Sequence, residues 1–138
     1  MKSLSTLIKL QKTFVDEQRQ HLARLLDNLE RIEGKITRLE IMKAREQAAA
    51  QDDAARITYG AFLKEMVAQG RALEQERQIA SMAVKAAQEK LAELFEEQKR
   101  FETAEAQRIE AEAKEERRLE TIELDEIGGT RHERKRAE

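Results

Sequence analysis

Two stretches of the chain carry apolar residues at a strict seven-residue spacing, one before residue 43 and one after residue 58. The residues that lie seven apart in the first stretch are Ile8, Val15, Leu22, Leu29 and Ile36. A companion set, four before or three after these, consists of Leu4, Gln11, Gln18, Leu25, Ile32 and Leu39. An average spacing of 3.5 residues keeps one narrow stripe facing a partner helix. The first stretch therefore predicts a coiled-coil helix over about residues 3–47.

The second stretch repeats the pattern over a longer segment. Its main set is Tyr59, Met66, Leu73, Ala80, Ala87, Leu94 and Phe101, and its companion set is Leu63, Gly70, Arg77, Val84, Leu91 and Gln98. The middle of this stripe is thin because several members are small or polar, and small residues bury little area. The second stretch predicts a helix over about residues 55–127. We call these two patterns the first and second heptad frames.

The frames suggest that the chain reverses direction between them. Residues 44–56 read AREQAAAQDDAAR and contain no apolar stripe. We expect a turn over about residues 48–54, with Asp52 or Asp53 as the N-cap of the second helix. Antiparallel pairing would then place residue i opposite about residue 102 − i, for example Leu22 opposite Ala80. The predicted fold is all-α: two long helices in an antiparallel coiled-coil hairpin, forming a single domain over residues 1–138.

The end of the second frame supports the hairpin. Its last apolar member, Phe101, lies about where the first helix would run out. Residues 102–126 hold ten acidic and four basic residues and form an overhang without a partner in the hairpin. Gly128-Gly129 is expected to end the helix, as glycines past a C-terminus do. Residues 128–138 would then be a mobile basic tail. The alternative is one helix of over 100 residues that dimerises in parallel, because no proline or glycine marks a break near Ala48.

Composition excludes several classes of protein. Ala, Glu, Lys, Leu and Arg make up 83 of the 138 residues, a share typical of long helices or coiled coils. Proline and cysteine are absent, which argues against turn-rich all-β folds and Cys-based zinc sites. Only 30 residues are Leu, Ile, Val or Phe, too few for a thick core with a buried pocket. The two histidines, His21 and His132, fall on a helix flank and in the tail. We expect no enzymatic activity, no cofactor and no metal.

Charge and hydropathy bear on partners and location. No apolar run approaches the ~18 residues that span a bilayer, and Lys9 and Lys12 interrupt the N-terminal apolar segment too early for a signal peptide. We therefore expect a soluble, cytoplasmic protein. Both signs of charge are interspersed, which argues against a nucleic-acid footprint. The tail around Arg131–Arg136 leaves a weak RNA-binding alternative, without nearby aromatics for base stacking.

Two apolar clusters lie where a thin coil has no third layer to bury them. The turn cluster consists of Leu39, Met42, Tyr59, Phe62, Leu63 and Met66. The terminal cluster consists of Leu4, Leu7, Ile8, Leu119, Ile122 and Leu124. Exposed patches of this kind are typically contact surfaces for another protein. The alternative is that these residues only plug or fray the ends of the coil.

Two short motifs resemble those of a known family. The segment from Ile57 to Met66 (ITYGAFLKEM) resembles the Tyr-x-x-Phe-Leu/Ile-x-x-Leu stretch that opens the second helix of FliJ, the flagellar type III export chaperone. The ending Glu123-Leu124-Asp125-Glu126-Ile127, followed by Arg131, is similar to the Asp-Glu-Phe/Leu…Arg ending of that family. The sequence departs from the family at Glu46, where a tyrosine is frequent. The YscO-type injectisome stalk protein is the nearest competing resemblance.

The resemblance implies a fold and a set of partners. It implies an antiparallel coiled coil similar to that of the rotary ATPase γ subunit. It implies binding to the hexameric export ATPase FliI, to the export gate protein FlhA and to chaperones of minor filament proteins. The location implied is cytoplasmic and peripheral to the inner membrane at the flagellar base, with no nucleic-acid partner. The implied gate-binding residues are Leu39, Met42, Phe62 and Met66, and the implied ring-binding residues are Leu4, Leu7, Ile8, Leu119 and Ile122. A function of another class stays open, namely a structural coiled-coil spacer or dimeric scaffold.

Overall fold

The chain folds into two α-helices that pack against each other as an all-α hairpin, which confirms the predicted fold class. The structure is a computed structural model, and it describes residues 3–137. Helix α1 spans Leu4–Ala49 and helix α2 spans Asp53–Ala137. No strand occurs among the described residues. Because only residues 50–52 connect the helices, α1 and α2 run antiparallel where they pack.

Local capping explains where both helices begin. Ser3 caps α1, since the backbone N–H of Thr6 donates to Ser3 Oγ over 3.2 Å. Asp52 caps α2, since the N–H of Ala55 donates to Asp52 Oδ1 over 2.6 Å. A side-chain oxygen in this position satisfies a backbone donor that the first helical turn leaves without a partner. The structure thus selects Asp52 from the two predicted N-cap residues.

Backbone contacts divide the chain into two compact units. The turn unit is residues 13–94 and contains the connection and both heptad frames over most of their length. The described part of the terminal unit is residues 3–12 and 95–137. The prediction of a single domain over residues 1–138 stays a prediction.

The core of the turn unit lies on the two predicted heptad frames. Its buried apolar residues are Val15, Ile32, Leu39, Met66, Ala80, Val84, Ala87 and Leu94. Every other frame position between residues 13 and 94 is half-buried, including the polar Gln18 and Arg77. The residues between the frame positions are mostly exposed. The burial pattern therefore confirms the 3.5-residue period and the seam that it predicts.

The pairing register differs from the predicted one. In the turn unit, Gln18 donates from its side-chain nitrogen to the carbonyl of Ala87 over 3.2 Å, instead of lying level with Val84. A Cβ placed on Gly70 would lie 3.6 Å from Leu39 Cδ2, although the prediction placed Leu39 opposite Leu63. The α2 partners thus lie one to two helical turns further along the chain. The shift begins at the turn, where Ala49 and Ala50 line a groove with Tyr59 and Phe62. The first residues of α2 therefore project past the end of α1.

In the terminal unit, the first residues of α1 cover only the beginning of the α2 segment. Gln11 is buried, and its side-chain nitrogen donates to Glu97 Oε2 over 3.3 Å. Ile8 and Phe101 are half-buried. Every residue from 114 to 137 is exposed. We call residues 102–137 the arm; apart from Ala104, Glu105 and Ala113, every residue in it is exposed.

The arm is helical further than the sequence predicts. The expected end at residue 127 and the non-helical tail after it are wrong, because α2 continues through Gly128-Gly129 to Ala137. Neither glycine has a positive φ, so neither forms the left-handed cap that ends a helix. Thr130 Oγ1 donates to the carbonyl of Glu126 over 2.9 Å within the same helix. Arg134, Lys135 and Arg136 lie in the last turn, where positive charge favours a helix. Glu138 lies outside the described residues.

Ion pairs within α2 replace the missing partner helix along the arm. Arg108 contacts Glu105 at 2.7 Å and Glu112 at 2.6 Å. Arg118 contacts Glu115 at 2.6 Å. Glu105, Arg108, Glu112 and Glu115 occupy the positions at which the second heptad frame would continue. Pairs three or four residues apart stabilise an isolated helix, so the arm is built to remain helical where no apolar seam holds it.

Candidate functional site

The described residues offer no centre for metal chemistry and no membrane span. Within residues 3–137, no three His, Cys, Asp or Glu side chains lie close enough to hold a metal ion. In the same range, neither helix contains a segment apolar enough to cross a bilayer. The titratable groups with shifted pKa values lie in surface ion pairs: Arg77 lowers the pKa of Glu74, and Arg108 lowers that of Glu105, in both cases by hydrogen bonding to the carboxylate. The other candidate sites are grooves and exposed apolar or charged clusters on the two helices.

The turn unit has a groove between α1 and α2 that contains two residues of the turn cluster. The groove has a volume of about 490 Å³ and is lined by Lys35, Arg38, Leu39, Met42, Gln69, Ala72 and Leu73. Leu39 is buried and forms its floor, whereas Met42 is 48% exposed. Two basic residues and no acidic residue line it. Its chemistry is apolar at the bottom and cationic along the α1 edge.

A second, smaller groove lies at the connection and contains Phe62. Its volume is about 240 Å³, and it is lined by Glu46, Ala49, Ala50, Ala55, Thr58, Tyr59 and Phe62. The rings of Tyr59 and Phe62 lie 6.4 Å apart between centroids and are tilted by 33°. Aromatic pairs at this separation attract each other through their edges and faces. Phe62 is half-buried, so that part of its ring remains available to a partner.

The turn cluster is therefore divided between seam and surface. Met66 is buried in the seam and lines neither groove. Leu39 is also a seam residue, reachable only from the groove. Met42 and Phe62 supply accessible apolar surface. The expectation that all four residues bind a partner stays a prediction, and the burial of Met66 indicates a packing role for it.

The terminal cluster is divided in the same way. Leu4, Leu7 and Ile8 are half-buried, while Leu119 and Ile122 are 53% and 41% exposed. Leu119 and Ile122 lie where the second heptad frame resumes after its charged interval. They are thus seam-type residues on a helix segment that α1 does not cover. A role of these five residues in binding stays a prediction.

Sequence reasoning missed a third surface feature, a column of arginines on α1. Arg24, Arg31, Arg38 and Arg45 lie seven residues apart, and all four are exposed. On α2, Ile79 and Met82 are also exposed, by 69% and 71%, and were not predicted. The seven-residue spacing of the arginines was the available signal, but it is a pattern of charged residues and not of the apolar residues that define a seam.

Comparison with known proteins decides the family. The sequence model of the family described as "Flagellar FliJ protein" matches residues 1–137. The chain belongs to the FliJ family. This membership confirms the resemblance that the two motifs carry, and it extends over almost the whole chain. No curated protein matches the chain, and no solved structure does.

Family membership indicates the cellular apparatus to which this chain belongs. The family consists of components of the flagellar protein-export apparatus, so this chain is a component of that apparatus. The family is a non-catalytic export component. A coiled-coil hairpin with exposed apolar and charged surfaces agrees with such a role.

Proposed function

We propose that this chain is a non-enzymatic stalk and escort protein that connects the export ATPase to the export gate. The arm and the first residues of α1 would bind the hexameric ring of FliI. The region around the turn would bind FlhA, and the chain would also escort chaperones of minor filament proteins. The protein would act in the cytoplasm, at the inner membrane beneath the flagellum.

The observation that best supports ring binding is the resumption of the heptad frame on the arm. Leu119 and Ile122 repeat the spacing of seam residues on a segment without an α1 partner. Apolar residues at seam spacing bury little area unless another surface covers them. A ring of subunits with an apolar central opening would supply such a surface.

Such a protein would influence ATP hydrolysis only by binding unequally to the states of the ring. A partner shifts a conformational equilibrium by its difference in affinity for the two states. The chain therefore needs a stiff helix and a specific contact, and it needs no reactive group of its own. The intrahelical ion pairs of the arm supply the first requirement, and Leu119 and Ile122 would supply the second.

The test measures ATP hydrolysis by purified FliI hexamers with and without this chain. Wild-type protein is expected to raise the rate, and the double variant Leu119→Ser, Ile122→Ser is expected to lose most of this stimulation. Leu124→Ser is the matched control, because Leu124 is 68% exposed on the same arm but lies off the frame. Equal stimulation by the double variant and the wild type would contradict ring binding through these residues.

A separate test addresses the gate. Phe62→Ala should weaken capture of the cytoplasmic part of FlhA, because it removes the accessible ring beside the turn, and it should leave helicity nearly unchanged. Ile57→Ala is the control, because Ile57 is exposed near the start of the same helix and lines neither groove. Unchanged capture by the Phe62 variant would remove this end of the chain from the proposed mechanism.

The alternative of a dimeric scaffold makes a different prediction about mass in solution. A stalk predicts a monomer, whereas a scaffold predicts a stable dimer that has no effect on ATP hydrolysis. Sedimentation equilibrium of the full chain, measured beside the ATPase assay, separates the two.

A further inference from the structure

The four arginines of the α1 column carry charge that the fold itself does not use. Arg24, Arg31, Arg38 and Arg45 are exposed, and none of them forms an ion pair with another described residue. Arg31 donates to the side-chain oxygen of Asn28 over 2.9 Å, which leaves most of its donors open. At about 1.5 Å per residue, neighbouring members lie roughly 10 Å apart along one line of the helix.

The absence of acidic partners stands out against the rest of the sequence. Where this chain stabilises a helix with arginine, it places glutamate three or four residues away, as in Glu74–Arg77 and Glu115–Arg118. The positions three and four residues from Arg38 and Arg45 hold no acid, and they are Gly34, Lys35, Ile41, Met42, Ala48 and Ala49. Asp27 is the one acid at such a distance from Arg24 and Arg31. The column therefore does not serve intrahelical pairing.

The column borders the larger groove and an apolar line on α2. Arg38 and Lys35 form one edge of the groove, and Gln69 and Ala72 form the other. Seven-residue steps from Ala72 lead to Ile79 and then to Ala86, whereas the same steps from Gln69 lead to the exposed Glu76 and then to Ala83, so that the α2 edge continues as small or apolar residues with one acid among them. Both Ile79 and Ala86 are exposed. Cationic side chains thus line one side of a shallow track, and the other side is mainly Ala72, Ile79 and Ala86, with Glu76 as its one acid.

We propose that this track binds an acidic amphipathic α-helix of a partner protein. A helix lying along the track would place its apolar residues in the groove over Leu39 and along Ala72 and Ile79. Glutamates repeated every seven residues on that helix would have the same spacing as the arginines. Arginine suits such a partner because its planar fork binds a carboxylate through two hydrogen bonds. Small residues on α2 would let the partner backbone come close.

Other anionic partners fit the track less well. Binding of single-stranded nucleic acid needs aromatic platforms for the bases, and no aromatic residue lies beside the arginines between residues 21 and 45. A membrane surface would need several large apolar side chains that enter the lipid, whereas Ile79 is the one such residue between Ala72 and Ala86 on the α2 edge. This inference rests on the proposed function, because the groove shares Leu39 and Met42 with the predicted gate-binding surface. It adds the class of the partner segment and four recognition residues.

The experiment titrates the full chain with three labelled 21-residue peptides and follows fluorescence anisotropy. The first peptide has leucine at the seam positions of three heptads and glutamate at the flanking positions. The second carries lysine in place of each glutamate, and the third is a scrambled form of the first. The acidic amphipathic peptide should bind tightest, and its affinity should fall as salt rises from 50 to 500 mM.

The arginine variant replaces all four members of the column by glutamine: Arg24→Gln, Arg31→Gln, Arg38→Gln and Arg45→Gln. It should weaken binding of the acidic peptide by about tenfold or more, as loss of four exposed charge contacts implies. The matched control removes four exposed positive charges from α2, by Lys64→Gln, Arg71→Gln, Lys85→Gln and Lys99→Gln, and should keep the affinity. Circular dichroism verifies that both variants fold. Replacing the four arginines by glutamate should shift preference to the lysine peptide, which a folding defect could not produce.

Several results would overturn the inference. Equal losses in the arginine variant and the α2 control would show that only net charge matters. Binding of the scrambled peptide as tight as the amphipathic one would remove the helical partner. Binding of polyuridylate or of phosphatidylglycerol vesicles in preference to the acidic peptide would assign the column to RNA or lipid. FlhA capture, measured in parallel, separates the two proposals: acidic-peptide binding that the arginine variant keeps refutes the inference alone, and FlhA capture that Phe62→Ala keeps refutes gate binding alone.

Discussion

Replacement of Ile32 by alanine tests whether the predicted seam holds the two helices together. Ile32 lies on the first heptad frame in the turn unit and is only 3% exposed, one of the two lowest values of the core. Its side chain packs where α2 approaches α1. Truncation removes three carbon atoms from a site that the surrounding helices cannot close completely.

The expected loss follows from burial. Each buried methylene contributes about 0.8 kcal/mol, so the transfer term alone is roughly 2.4 kcal/mol. A residual cavity adds to this, and measured losses for buried Ile→Ala changes are about 2–5 kcal/mol. A two-helix seam is flanked by half-buried positions that can relax, so we expect about 2–3 kcal/mol. Urea unfolding followed by circular dichroism at 222 nm measures the change in the free energy of unfolding.

Ile41→Ala is the matched control. Ile41 lies in the same helix but is 47% exposed and lies off the frame. The same chemical change there should alter the free energy of unfolding by less than about 0.5 kcal/mol, with a small gain from the higher helix propensity of alanine. Equal losses at the two positions would refute the assignment of the seam, because the frame would then not distinguish buried from exposed positions.

Three further predictions concern the helix ends and the arm. Asp52→Ala should cost about 1 kcal/mol in thermal unfolding because it removes the cap of α2. Replacement of Gly128 and Gly129 by alanine should slow hydrogen exchange of the neighbouring amides, since each Gly→Ala substitution favours the helix by about 1 kcal/mol. Unchanged hydrogen-exchange rates would contradict a helix through this segment. Arg108→Gln should reduce helicity at neutral pH, as read by circular dichroism. Because Arg108 holds the pKa of Glu105 below its ordinary value of 4.5, this difference should be full above pH 4.5 and should vanish as the pH falls through the lowered pKa.

The secondary structure and the seam could be predicted because they depend on local spacing. Seven-residue repeats determine which face of each helix is apolar, and burial of Val15, Ile32 and Val84 follows from them. The register could not be predicted in the same way. All heptads of such a seam are similar, so a shift of one or two turns costs little in apolar pairing. The geometry of the connection decides among these registers, and a sequence pattern does not contain it.

The end of α2 was misjudged for a related reason. Two adjacent glycines are typical of a helix stop, but glycine in a helix costs only about 1 kcal/mol relative to alanine. The flanking sequence opposes that cost, with Thr130 bonded to Glu126 and basic residues in the last turn. The cost of the two glycines and the gain from the flanking residues are close in size, and a rule based on glycine alone leaves out the gain.

Which of the candidate residues are accessible could be predicted only in part. The turn cluster does contain accessible Met42 and Phe62, but Leu39 and Met66 belong to the seam. A sequence marks such residues as apolar and does not distinguish those that face the other helix from those beside it. The arginine column was missed because a seven-residue spacing of charged residues does not by itself indicate a seam or a site.

The connection of three residues between α1 and α2 limits how this hairpin can move. A stretched chain covers about 3.5 Å per residue, so the four steps from Ala49 to Asp53 reach at most about 14 Å, and two packed helices already lie about 8–10 Å apart. An outward slide of one helix by a full heptad would move the joined ends roughly 10 Å further apart along the axis, which the connection cannot span without unwinding a helix end. Coiled coils that signal by exchanging registers need a longer loop or separate chains. Next to the turn, the two helices can bend or twist together, but the short connection opposes an outward change of register by a heptad.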